Sequence, residues 1–95
     1  MKRGSVQRYR ISTEAVSNRL GENTVLVHLK TDRILELNRT ASRLWELISA
    51  GLDRTEIQTT MLQEFEVAEP QLNSEIENTL TSLQAENFIS VDHEK

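Results

Sequence analysis

The sequence predicts an α+β fold, with two or three short antiparallel strands followed by three helices. Two observations predict the order of elements. Apolar and β-branched runs crowd the first 37 positions, and three apolar stripes of helical period fill the stretch from Asn38 to Glu86. A third observation sets the boundaries, because each stripe begins or ends on a residue suited to a helix cap. Strands first and helices afterwards describes a sheet with its helices segregated from it.

Ninety-five residues make one domain with a modest core. There is no cysteine, so disulfides and thiolate metal sites are excluded. Apolar residues make up 37% and charged residues 27%, and no apolar run approaches the roughly 20 residues that span a bilayer. The basic start, MKRGSVQRYR, lacks the apolar segment of a secretory signal, so a cytoplasmic location is expected. Net charge is −4, and no Lys or Arg occurs between Thr55 and Ala85.

Residues 1–10 are expected to form a flexible arm, 11–91 the folded domain and 92–95 a tail. Ile11 and Val16 begin a first strand towards Leu20, and Gly21-Glu22-Asn23 marks a turn. Thr24–Leu29 is the clearest strand. A hairpin then leads to a third strand, Arg33–Leu37. A three-residue loop, Lys30-Thr31-Asp32, pairs Val27 with Leu35 and Val25 with Leu37, gathers five aliphatic side chains on one face, and asks Asp32 to be left-handed. Leu26, His28, Ile34 and Glu36 would then share the opposite face, with His28 half-exposed.

Asn38 suits the N-cap of a first helix whose apolar face carries Ala41, Leu44, Trp45 and Ile48, and Gly51 suits its end. Asp53 and Glu56 form a capping-box pair for a second helix striped by Ile57, Met61, Leu62 and Phe65. Pro70 fits the first position of a third helix with a ridge of Leu72, Ile76, Leu80 and Leu83. Asn87 ends it, and Phe88, Ile89 and Val91 pack back as a short wing. The second and third helices have the look of a helix-turn-helix pair, so the whole reads as winged helix-turn-helix-like.

Catalysis has little to work with. His28 and His93 lie far apart without metal-ligand spacing, and no nucleophile elbow or phosphate loop is present. No catalytic residue, metal or cofactor is expected. A DNA-reading third helix would carry Glu75, Glu77 and Glu86 with no base, which phosphate repels. Peptide binding remains. Arg33–Leu37 is a sheet edge, because the chain leaves it directly into a helix, and an edge offers unpaired N–H and C=O groups to an extended peptide. Arg33, Ile34, Leu35, Glu36 and Leu37 would form the rail, and Glu75, Ile76, Thr79 and Leu83 the facing wall. Coverage of the same edge by the N-terminal arm or by a second copy stands level with this on the residues alone.

The run VLVHLKTDRILELNRTASRLWELISAGLDRTEI and the later L-x-x-x-I-x-x-x-L-x-x-L resemble the PqqD-like family, the recognition elements of ribosomally made, modified peptides. Leu37-Asn38, Thr40-Ala41, Trp45-Glu46-Leu47, Gly51 and Glu56-Ile57 carry the likeness, which spans Ile11 to Val91 and is most like the free-standing elements of lasso peptide pathways. The resemblance implies a winged-helix-like fold of three strands and three helices. It implies capture of a precursor's leader peptide as an added strand beside the third strand and against the third helix. It also implies two enzyme partners, a leader peptidase of transglutaminase-like cysteine protease type and an ATP-dependent, asparagine-synthetase-like macrolactam synthetase (cyclase). Many relatives have Gly where this chain has Asp32. The alternatives are the equivalent protein of a radical-SAM pathway such as pyrroloquinoline quinone synthesis and, from another class, a winged-helix DNA binder.

Overall fold

The structure, a computed structural model, describes residues 6–94. Three strands, β2 (Ala15–Leu20), β3 (Asn23–His28) and β4 (Ile34–Leu37), form an antiparallel sheet in the order β2-β3-β4. Three helices follow, α1 (Arg39–Ser49), α2 (Arg54–Glu64) and α3 (Glu69–Ala85). A second ribbon pairs β1 (Val6–Ile11) with β5 (Ile89–Glu94), antiparallel along their whole lengths. The α+β architecture is the one expected, with the β1–β5 ribbon added to it.

The ribbon corrects both chain ends. Residues 6–10, expected within a flexible arm, are the first strand, and residues 92–94, expected as tail, extend the last one. Residues 1–5 and Lys95 lie outside the described residues. Ile11 and Val16 are not one strand. A turn at Ser12–Glu14 separates them, closed by Ala15 N–H to the Ser12 carbonyl (3.1 Å) and Glu14 N–H to Ser12 Oγ (3.0 Å). Local periodicity could not show this, because β1 finds its partner about 80 residues away.

The β3–β4 register also differs from the expectation. Thr24 pairs with Leu37, Val25 with Glu36, Leu26 with Leu35 and Val27 with Ile34. The loop is therefore four residues, Leu29–Asp32, closed by Asp32 N–H to His28 C=O and His28 N–H to Arg33 C=O, both 2.8 Å. Asp32 does adopt the left-handed conformation (φ 60°). The register shifts by one, and the faces exchange: Thr24, Leu26 and His28 are buried, while Val25 and Val27 lie on the outer face with Ile34. His28 is a core residue. Its ring meets Phe88 edge to face (5.7 Å), and its Nδ1 accepts the Lys30 and Thr31 N–H groups at 3.3 Å, which holds the loop. The five-aliphatic face was outweighed because two polar side chains, Thr24 and His28, find places inside.

The helices follow their local signals. Asn38 Oδ1 accepts Ala41 N–H at 2.9 Å, and the Asp53/Glu56 capping box is complete. α1 ends in a Schellman motif, with Leu52 N–H on Leu47 C=O, Gly51 N–H on Ile48 C=O and Gly51 at φ 93°. α3 ends the same way, with Phe88 N–H on Leu83 C=O and left-handed Asn87 in the glycine's place (φ 65°). That turn drives Phe88, which is fully buried, into the core formed by Leu26, Leu44, Trp45, Ile57, Met61 and the α3 ridge.

Candidate functional site

β4 is one of the two edge strands of its sheet, the one that runs into α1. Because His28 N–H bonds to Arg33 C=O, positions 28 and 33 form a hydrogen-bonded pair, and the pattern alternates from there. Leu35 therefore spends its N–H and C=O on Leu26, while Ile34 and Glu36 turn theirs to the open edge. The rail thus offers two donors and two acceptors, spaced for an added strand.

Beside this edge runs a groove of about 390 Å³. Leu35, Glu36 and Leu37 form one side of it, and Asn38, Thr40 and Ala41 at the start of α1 close one end. The far wall is Glu75, Asn78, Thr79 and Ser82, the i, i+3, i+4, i+7 stripe of α3. The neighbouring stripe of the same helix (Leu72, Ile76, Leu80, Leu83) is core. Two contacts hold the walls in place. Ser42 Oγ donates to Leu37 C=O at 3.1 Å, tying the end of β4 to α1. Arg33 grips Glu86 with two contacts, Nε to Oε1 at 2.7 Å and Nη2 to Oε2 at 2.9 Å, tying the start of β4 to the end of α3.

Five of the nine residues expected to form the site line the groove: Leu35, Glu36, Leu37, Glu75 and Thr79. Ile34 sits on the rail but points its side chain to the outer face, 69% exposed. Arg33 is engaged by Glu86. Ile76 and Leu83 are 1% and 0% exposed and belong to the core. Sequence reading missed Asn38, Thr40, Ala41, Asn78 and Ser82. For α3 the signal was present, since the stripe one step round from the apolar ridge must face whatever lies beside the core. Among the described residues no group of His, Cys, Asp or Glu is placed to hold a metal ion, and no helix is long and apolar enough to cross a membrane.

A family model described as coenzyme PQQ synthesis protein D (PqqD) matches residues 23–89, from the start of β3 to the start of β5. The chain belongs to the PqqD family. The matched span contains the whole rail and the whole helical wall. Two solved structures share this PqqD fold. One, titled TbiB1 in complex with the TbiA(beta) leader peptide, is 27% identical, with a TM-score of 0.79 over 85% of this chain and 94% of that one. The other, titled lasso peptide synthetase B1 complexed with the leader peptide, is 19% identical, with a TM-score of 0.77 over 87% of this chain and 98% of that one, and supports the fold alone. No curated protein matches the chain.

Proposed function

We propose that this PqqD-family chain is a non-catalytic recognition protein. It binds the leader region of a ribosomally made precursor peptide, of lasso type, as an extra strand on β4 against α3. The observation that carries this is the open edge of β4 lying beside a groove walled by α3, and a chain with the same fold at 27% identity is described as a leader-peptide complex. Four edge hydrogen bonds contribute roughly 0.5–1.5 kcal/mol each. Two apolar anchors against Leu35 and Ala41 add about 1.5–3 kcal/mol each, against an ordering cost of several kcal/mol. The upper end of that balance, about 9 kcal/mol, corresponds to dissociation constants no tighter than roughly a tenth of a micromolar to a micromolar.

In this reading the bound leader is presented, in the cytoplasm, to a transglutaminase-like leader peptidase and then to an asparagine-synthetase-like macrolactam synthetase. The family description, coenzyme PQQ synthesis, favours a second reading in which the partner is a radical-SAM enzyme. The neighbouring reading frames separate the two. DNA binding is disfavoured, since α3 has no basic residue, and Arg43 and Arg54, which could otherwise touch a phosphate backbone, are committed to Glu64 and Glu77. The test is a fluorescence anisotropy titration with a labelled leader peptide from the adjacent precursor gene. Saturable binding below tens of micromolar is expected, and its absence sinks the proposal.

A further inference from the structure

We propose that the β4–α3 groove selects a cationic strand: the segment that pairs with β4 carries a Lys or Arg on each of its two faces, one meeting Glu36 and the other Glu75. This rests on the reading that an extended peptide adds to β4, and it names the chemistry of that peptide.

Among the described residues, Glu36 and Glu75 are the only charged ones that border the groove, Glu36 on the edge strand itself and Glu75 on α3. Elsewhere on the surface the carboxylates beside arginines are used: Glu46, Glu64, Glu77, Glu86 and Asp92 each hold a guanidinium. Among the described residues, Glu36 and Glu75 have neither an ion pair nor a hydrogen-bond partner. α3 contains no Lys or Arg, and the base nearest along β4, Arg33, is held by both oxygens of Glu86. A groove bordered by carboxylates, with no Lys or Arg among its described lining residues, is complementary to a basic guest and repels an acidic one.

The register decides where the guest's charges belong. Glu36 pairs with Val25, so its side chain lies on the outer face, on the same side as Ile34. Glu75 lies on the inner side, on the α3 stripe facing β4. Neighbouring residues of an added strand point to opposite faces, so the two cations of the guest must be an odd number of positions apart. The outer one stands as an opposite-charge neighbour of Glu36 across the new strand pair. Each contact is partly solvated, and its loss is worth roughly two- to fivefold in affinity.

The test is a displayed library of random 12-residue peptides selected on the wild-type protein, with the selected peptides synthesised and titrated by anisotropy. Ile34→Pro blocks the edge, and Thr79→Arg fills the groove from α3 as a second block should the proline variant fail to fold by circular dichroism. The expected result is that peptides released by these blocks carry excess Lys or Arg at two positions an odd number apart. Glu36→Gln and Glu75→Gln should each weaken them roughly two- to fivefold, and the doubly reversed Glu36→Lys/Glu75→Lys protein should select Asp or Glu there. Edge-dependent peptides without a basic excess, or with unchanged affinity for both Gln variants, overturn the cationic selectivity while leaving strand addition standing. Selected peptides that keep their affinity for both blocked proteins overturn strand addition itself, and the selectivity with it.

Discussion

Leu35 stands directly opposite Leu26 in the β3–β4 pair, with Leu26 fully buried and Leu35 half-buried at the lip of the groove. This one pairing settles three things. It turns Leu35 and Leu37 inward to the groove, turns Ile34 and Glu36 outward, and assigns the outward backbone groups of the rail to Ile34 and Glu36.

Cross-linking reads the register directly. Val27 and Ile34 form a non-hydrogen-bonded pair, whose Cα atoms stand about 4.5 Å apart, within disulfide range. Val27→Cys/Ile34→Cys should oxidise to an intramolecular disulfide, seen as a mass loss of about 2 Da and as protection from a thiol reagent. Val27→Cys/Leu35→Cys places its thiols on opposite faces and should stay reduced. The reverse pattern would restore the three-residue loop.

Proline tells the two kinds of β4 position apart. Glu36→Pro removes an outward donor from an edge strand, where proline is tolerated, so peptide binding should be lost with the thermal midpoint little changed. Leu35→Pro removes the inward donor and strands the Leu26 carbonyl, lowering stability by roughly 1–3 kcal/mol. If Glu36→Pro binds as well as wild type, the edge is not the docking rail.

The two stripes of α3 separate binding from folding. Thr79→Arg projects into the groove and should weaken peptide binding without altering circular dichroism. Ile76→Ala empties a core position and should lower stability by about 2–5 kcal/mol, measured in urea, while leaving the affinity of the folded fraction near wild type. An unaltered affinity in Thr79→Arg would remove α3 from the site.

Acid sensitivity has a located source. Arg43 donates to both oxygens of Glu64 at 2.8 Å and to Glu46 at 2.9 Å, and these bonds hold both carboxyls below the usual carboxylate range. Arg19 adds a further contact to Glu46, so β2, α1 and α2 share one network. Because the folded values are depressed, the contribution is complete above the unfolded value near 4.5 and is lost as pH falls through the folded values. The side chains are about a third exposed, which limits each pair to roughly 0.3–1 kcal/mol. Denaturation curves from pH 6 down to about pH 3 should therefore show a smaller acid loss in Arg43→Gln than in wild type. Equal acid losses in the two proteins would place the sensitivity elsewhere.

How much of this was legible follows the range of the interactions. Asn38, Gly51, the Asp53/Glu56 box and Asn87 act on backbone groups within a few residues, so the helix boundaries could be read locally. That β4 is an edge strand could be read too, since the chain leaves it directly into a helix at Asn38, whereas coverage of that edge by the N-terminal arm is an equal reading until β1 is seen to pair with β5. The groove wall could not be read. Ile76 and Thr79 are three apart on one helix, and only the direction of the core shows that the first faces inward and the second faces β4.

By itself, then, the sequence determined the order of elements, the caps and the α+β class, because each rests on periodicity or on bonds between near neighbours. Only the tertiary structure decided the β3–β4 register, since Thr24 and His28 become acceptable core residues once Phe88 and the loop amides arrive to meet them. The same holds for the β1–β5 ribbon, whose strands carry weak patterns and gain their stability from each other across nearly the whole chain. Which face of β4 meets a guest is a property of that long-range packing, and it is the property on which the proposed selectivity turns.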